Sequence, residues 1–254
     1  MSEEDIKHCD WFECVDVIMG VLLAAGCAFD WMHGFELEYG SDCSGADGPA
    51  HALKWLNVFT GIVLHIVWKF SHVFASEDPG KNGDGPRRFL RNNYDIEYMF
   101  SDACDREASG TCSNTDTRVP LPKTEVYTAG SICKDASKEN TMNPHIVDIQ
   151  NETGMTSKTL KASMDYVALW YPAYVMLENV YRKVLISEIQ KAFDALKVYV
   201  LIIFGINSKT FKLRQSRPRL FAIAINIMKV KISENRTVGN IKNTPISFNK
   251  YFIN

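Results

Sequence analysis

Two long apolar stretches near the N-terminus constrain this chain more than any other feature of its sequence. The first runs from Trp11 to Phe35 around an uninterrupted apolar centre at 17–29, and the second runs from Ala52 to Phe74. A helix needs roughly 20 apolar residues to cross a bilayer core, and Trp residues concentrate where membrane and water meet. The two stretches therefore predict a pair of membrane-spanning helices.

The rest of the chain divides where its composition changes. Residues 75–162 are polar, open with a cluster of Gly and Pro, and show no helical or strand period, which predicts a largely disordered loop. We expect four segments: a two-helix membrane hairpin (1–74), this loop, a helical pair (163–206) and a basic Asn/Lys-rich tail (207–254). The predicted fold class is all-α, a membrane helical bundle of two to four spans with a long disordered polar loop and a basic tail.

Charge is distributed unevenly along the chain. The net charge of the 254 residues is only −2, but residues 207–254 carry ten Lys or Arg and one acid, Glu234. Such a basic segment predicts contact with something anionic, either lipid head groups or nucleic acid, and anionic lipid head groups are the partner expected beside a membrane. A solvated Lys/Asn-rich tail is the alternative. The abrupt change after Gly205 also raises the hypothesis that the tail is the translated extension of a truncated gene.

The charges that flank the apolar stretches predict an orientation in the membrane. Residues 34–50 contain no Lys or Arg, whereas basic residues follow the second stretch at Lys81, Arg87, Arg88 and Arg91. Basic loops stay on the cytosolic side. We therefore expect a protein of the plasma membrane or an endomembrane, with its partner the lipid bilayer and with the long loop and the C-terminus in the cytosol.

Two acids flank the apolar centre of the first stretch. Asp16 and Asp30 are close to four helical turns apart, so a helix would place both on nearly one face. Ionisable groups within a span usually face a bundle interior or a water path. We expect Asp16 and Asp30 to be membrane-embedded acids, with His65 and Lys69 of the second stretch as their partners.

The sequence contains no catalytic motif that predicts a reaction. Phosphate-loop, nucleophile-elbow and zinc-helix patterns are all missing, and the seven cysteines include no C-x2-C pair. We therefore predict no catalytic residue, no metal, no cofactor and no enzymatic activity.

The N-terminal pattern resembles the start of XK-related membrane proteins. The resemblance rests on the Asp-bearing apolar run at 16–23, on Asp30, and on the apolar second stretch that follows a Gly-bearing link. It implies a multi-pass membrane protein of the phospholipid-scrambling or transport type, with Asp16 and Asp30 as the positions carried over.

An alternative remains open from the sequence alone. The two apolar stretches also suit the core of a soluble helical interaction protein, in which the polar region would be a disordered insert. Alkaline carbonate extraction separates these alternatives, because it releases a soluble or peripheral protein and leaves an integral one in the membrane.

Overall fold

The described part of the chain forms nine strands and four α-helices. The computed structural model describes residues 36–63, 68–78, 84–136, 147–211 and 214–230. The elements, in chain order, are β1 (Glu36–Asp42), α1 (Gly48–Val63), β2 (Lys69–Ser76), α2 (Gly85–Asn93), β3 (Ile96–Phe100), β4 (Ser109–Cys112), β5 (Thr117–Pro120), β6 (Val126–Gly130), α3 (Met155–Trp170), β7 (Tyr174–Val180), α4 (Lys183–Leu196), β8 (Tyr199–Asn207), a short 3-10 helix (Ser208–Phe211) and β9 (Pro218–Asn226).

The nine strands form one mixed sheet in the order β5-β4-β3-β2-β1-β6-β7-β9-β8. The five central strands, β3, β2, β1, β6 and β7, run parallel to their neighbours. Strand β9 runs antiparallel between β7 and β8, and the β4–β5 hairpin extends the opposite edge. Strands β1 and β6 are neighbours although four strands separate them in sequence, so the direction of winding reverses between them.

Helices cover both faces of the sheet. Phe74 and Ala75 are consecutive residues of β2, and they belong to different core clusters because successive strand residues face opposite sides. The cluster around Phe74 includes residues of α3 and α4, while the cluster around Ala75 includes Ala50 of α1 and Leu90 of α2. The parallel strands are therefore buried on both faces.

The second predicted membrane helix is a helix followed by a strand. Within the stretch Ala52–Phe74, α1 ends at Val63 and β2 begins at Lys69. A parallel strand buried on both faces has a nearly continuous apolar sequence, so its hydrophobicity alone does not distinguish it from a buried helix. The first predicted span, at 11–35, lies outside the described residues.

The predicted helical pair at 163–206 also proved to contain strands. Helix α3 ends at Trp170, and the apolar residues that follow form β7 instead of continuing the helix. Pro172 lies between the two elements, where its fixed φ and missing N–H favour a break. The last predicted helix is β8, which pairs with β9 along its whole length.

The prediction of a largely disordered polar loop was wrong. The polar region 75–162 contributes α2 and four strands, and β9 at 218–226 lies inside the sheet. The all-α prediction is therefore corrected to a mixed α/β fold. The prediction failed because short strands that pair with partners distant in sequence show little local periodicity. The sequence of the polar region therefore resembles that of a loop.

None of the helices in the described part of the chain is long and apolar enough to cross a membrane. Helix α1 buries Ala50 and Leu56 against the sheet and leaves Trp55 exposed. Its apolar residues therefore serve as one side of a protein core.

Candidate functional site

The candidate site lies where the strand order reverses. Helix α1 follows β1 on one face of the sheet and α3 follows β6 on the other, so the loops after these two neighbouring strands diverge. Open α/β sheets bind ligands in the crevice that such a divergence leaves at the carboxyl ends of the strands. We call this region the switch-point crevice and define it by the loops 43–47 and 131–136.

The first loop is attached to the end of β2. The Ser44 amide donates a hydrogen bond to the Ser76 carbonyl at 3.2 Å, and the Gly45 amide donates one to Glu77 Oε2 at 2.8 Å. Gly45 has a φ of +55°, which favours glycine, and no atom lies within 4 Å of where its Cβ would be. Burial raises the pKa of the Glu77 carboxyl. A carboxylate and an open glycine turn therefore stand together at the crevice.

Buried hydrogen bonds hold the end of the same loop. Asp47 accepts hydrogen bonds from the Tyr39 hydroxyl at 2.6 Å, from Ser41 Oγ at 2.7 Å and from the Ala50 amide at 3.2 Å. The last contact caps the first turn of α1. Burial raises the pKa of Asp47, while these three donors oppose the shift. The loop is consequently held at both ends before any ligand arrives.

The second loop is fixed on both sides of Cys133. Asn179 Nδ2 donates to the Ser131 carbonyl at 3.0 Å and to Ser131 Oγ at 2.7 Å. The Asp135 amide donates to Thr156 Oγ1 at 3.1 Å, and the Thr156 amide returns a bond to Asp135 Oδ2 at 2.8 Å. The free thiol of Cys133 is half-buried between these anchors. Its backbone is thereby held at the carboxyl end of β6.

A carboxylate and a guanidinium lie beside this loop. Glu178 of β7 pairs in register with Gly130 of β6, and a Cβ on Gly130 would lie 3.7 Å from Glu178 Oε2. Arg219 of β9 contacts the same carboxylate, with Nε 2.8 Å from Oε1. Burial raises the pKa of Glu178, and the positive charges of Arg219 and Arg217 partly offset the rise. Glu178 is thus a half-buried acid next to the cysteine loop.

Other cysteines near the crevice are poor nucleophiles. Burial, together with the charge of Glu77, raises the pKa of Cys43 to about 12. Burial and Asp102 raise the pKa of Cys104 to about 12 as well. Both thiols stay protonated at neutral pH, and a nucleophilic cysteine must act as the thiolate.

The structure does not assemble the site predicted from the sequence. Asp16, Asp30 and His65 lie outside the described residues, so their roles stay predictions. Lys69 is exposed on β2, and its Nζ bonds Glu36 Oε1 of β1 at 2.6 Å. Within the described ranges, no group of three or more His, Cys, Asp or Glu could hold a metal ion.

Sequence reasoning missed Cys133, Glu178, Asn179 and Arg219. One signal was available: Cys133 and Glu178 each stand at or just beyond the end of a short apolar run, at 126–129 and 174–177. Such positions become the carboxyl end of a strand in an α/β sheet. These positions indicate site residues only once the two runs are known to be strands.

No sequence profile of a known protein family matches the chain. It is similar to the DNA (cytosine-5-)-methyltransferase DMT5 of Cryptococcus neoformans, with 25% identity over 151 residues. The match covers 59% of this chain and 6% of that much longer protein.

Two solved methyltransferase structures also resemble the fold. The Schizosaccharomyces pombe Dnmt2 structure gives a TM-score of 0.49 at 15% identity over 80% of this chain. A Spodoptera frugiperda DNMT2 structure gives 0.48 at 13% identity over 75%. The chain spans about half the length of these two structures.

These findings overturn the XK-related interpretation. The relative found by sequence is a DNA methyltransferase, and none of the helices described could span a bilayer. The predictions of scrambling or transport, of no enzymatic activity, of a lipid-bilayer partner and of a membrane location were therefore wrong. The alternative of a helical interaction protein was wrong in its fold, because the described residues form a nine-stranded sheet.

Proposed function

We propose that this chain carries the catalytic centre of a methyltransferase acting on carbon 5 of cytosine in DNA. The observation that carries the proposal is the anchored Cys133 loop beside the Glu178–Arg219 pair. The similarity to a DNA (cytosine-5-)-methyltransferase supports the choice of reaction. The match covers a small part of that relative, so its reaction is transferred to this chain as a proposal.

The groups on the β1–β3 side of the crevice suit a nucleoside-containing methyl donor. An acid at the end of the second strand is the usual partner of ribose hydroxyls in such folds, and Glu77 occupies that position. Gly45 leaves open space for close approach to the backbone, and Asp102 follows the third strand. S-adenosylmethionine, when bound, would supply an electrophilic methyl group. Glu77, Gly45 and Asp102 are the residues that would hold it.

Cys133 would activate the base. Carbon 5 of cytosine is a weak nucleophile because the aromatic ring delocalises its electrons. Addition of the Cys133 thiolate to carbon 6 breaks the 5,6 double bond and makes carbon 5 electron-rich. After methylation, loss of the carbon 5 proton and departure of the thiolate restore the ring. The cysteine is therefore regenerated in each turnover.

Glu178 and Arg219 would support that addition. As the thiolate adds, negative charge develops towards ring nitrogen 3, and a protonated Glu178 can donate its proton there and take it back when the thiolate leaves. Burial keeps the pKa of this carboxyl raised, which favours the protonated form. Arg219 holds the other side of the carboxyl group and so orients it.

The test is methyl transfer from labelled S-adenosylmethionine to a cytosine-containing DNA duplex. The wild type is expected to methylate DNA, and Cys133→Ala is expected to lose measurable transfer. Cys112→Ala is the matched control, because Cys112 is a buried thiol of β4 and takes no part in the proposed chemistry. It should keep wild-type activity.

A covalent trap tests the nucleophile directly. DNA containing 5-fluorocytosine should form an adduct with Cys133 that survives denaturation, since fluorine cannot leave carbon 5 as a proton does. A trapped adduct on another cysteine would contradict the assignment. Methyl transfer to RNA but never to DNA would contradict the substrate.

A further inference from the structure

A buried ion pair joins the carboxyl end of β1 to the loop after β3. Asp42 Oδ2 accepts hydrogen bonds from Arg106 Nη2 and from the Tyr127 hydroxyl. The side chains of Asp42 and Arg106 are 0% and 2% exposed. Strand β2 lies between β1 and β3, so Arg106 reaches across a whole strand to make this contact.

Aromatic rings fix the path of Arg106 across β2. The guanidinium carbon lies 5.1 Å from the ring centre of Phe74, 5.6 Å from that of Phe100 and 5.9 Å from that of Tyr166. These are cation–π distances, and they hold the guanidinium in one orientation. The loop 101–108 is therefore attached to the centre of the sheet by a side chain with little freedom.

Stability alone does not explain the pair. Asp42 Oδ1 and Arg106 Nη1 are buried and have no hydrogen-bond partner among the described residues. Unpaired buried polar atoms are unfavourable, and an apolar pair of similar volume is often as stable as a buried ion pair. The pair therefore requires an explanation other than its contribution to stability.

That role follows from what the pair connects. Asp42 directly precedes the loop 43–47, and Arg106 belongs to the loop that begins beside Asp102. The end of β2 links the same two regions, because Glu77 accepts from the Gly45 amide and its own amide donates to the Phe100 carbonyl. We propose that Asp42 and Arg106 are positioning residues that hold the loops after β1 and β3 in the arrangement required to bind the methyl donor.

The inference rests on the proposed function, and a double variant separates positioning from stability. Asp42→Leu combined with Arg106→Met replaces the ion pair by an apolar pair of similar shape. The double variant is expected to unfold cooperatively, at a melting temperature that is lowered only slightly because the buried Tyr127 hydroxyl loses its acceptor. Its Kd for S-adenosylmethionine, measured by calorimetry, should nevertheless rise by about 10-fold or more, because the loops are no longer preorganised for binding.

Two further measurements make the test specific. Amide hydrogen exchange of the loop 43–47 should be faster in the double variant, since Ser44 and Gly45 would leave their partners more often. DNA affinity without donor should stay at the wild-type value. Arg118→Met is the matched control, because Arg118 is an exposed arginine on β5 that bonds only Ser109 in the described contacts. Its donor Kd should not change.

The outcomes separate the two proposals. A double variant that is folded and binds the donor with the wild-type Kd overturns the positioning role alone. A variant with fewer active molecules but an unchanged Kd assigns the pair a purely structural role and also overturns it. Absence of donor binding by the wild type overturns the proposed function and this inference together.

Discussion

At the scale of single residues, the proposed chemistry depends on which carboxyl and thiol groups of the site are ionised. Glu178 lies in a half-buried position where desolvation raises its pKa, while Arg219 and Arg217 favour the carboxylate. The positive charges do not cancel the effect of burial, so the net direction is upward. Cys43 and Cys104 respond to burial in the same direction and remain thiols. Burial, which the sequence does not show, therefore raises the pKa of all three of these groups.

Glu178→Gln tests the proposed acid. The Gln carbonyl can accept the contact from Arg219, but the amide has no acidic proton to transfer, so kcat should fall by about 10²–10⁴-fold. In the proposed mechanism the protonated form of Glu178 is the active one, so kcat should fall as the pH rises through the pKa of Glu178. The measurement is a pH profile of kcat under saturating donor and DNA.

The pH profile gives a second readout. The loss of kcat at higher pH should disappear in Glu178→Gln, because the titrating group is gone. Glu36→Gln is the control, since Glu36 is an exposed carboxylate at the start of β1. An unchanged pH profile in Glu178→Gln would reject Glu178 as the acid.

At the scale of elements, the site depends on contacts between loops and neighbouring strands. The cysteine loop follows β6, yet its backbone is held by Asn179 at the end of β7 and by Thr156 and Thr159 in the first turns of α3. Asn179 is nearly fully buried. The position of Cys133 is therefore a property of three elements together.

Asn179→Ala tests this dependence. The substitution leaves the Ser131 carbonyl without its buried donor, which should lower the free energy of unfolding by about 1–3 kcal/mol. The kcat should also fall, because the loop that carries Cys133 loses one anchor. Urea unfolding and methyl-transfer kinetics measure the two effects.

Asn93→Ala is the matched control for that substitution. Asn93 Nδ2 donates to the Phe89 carbonyl on the exposed end of α2, where water can replace it. Its removal should change the free energy of unfolding by less than about 0.5 kcal/mol. Equal stability losses in the two variants would contradict the special role of Asn179.

At the scale of the whole molecule, the sheet is completed by β9, which lies in the basic Asn/Lys-rich region of the sequence. Strand β9 carries Arg219 to the site and packs Leu220, Ala222 and Ala224 into the main core. Its two neighbours, β7 and β8, depend on it for their antiparallel hydrogen bonds. The basic region therefore contributes both to the fold and to the candidate site.

Ala222→Asp tests whether this segment belongs to the core. A carboxylate at this fully buried position has no partner, so the free energy of unfolding should fall by about 3–5 kcal/mol. Ser216→Asp is the control in the exposed turn between β8 and β9 and should be close to neutral. Thermal unfolding of both variants measures the difference. Equal melting temperatures would indicate a solvated tail.

The sequence by itself determined which segments are apolar enough to be buried. The runs within 52–74, 164–186 and 198–206 all contribute buried or half-buried residues. It did not determine whether each run was helix or strand. An apolar run is compatible with either a helix or a strand. It forms a strand where a neighbouring strand can pair with its backbone N–H and C=O groups.

Only the tertiary structure decided the fold and the site. Glu178, Arg219 and the loop that carries Cys133 lie far apart in sequence and come to neighbouring positions because β6, β7 and β9 are successive neighbours in the sheet. Asp42 and Arg106 meet across β2 for the same kind of reason. Strand order and register are set by long-range pairing and by burial on both faces, and these interactions leave no local period in the sequence.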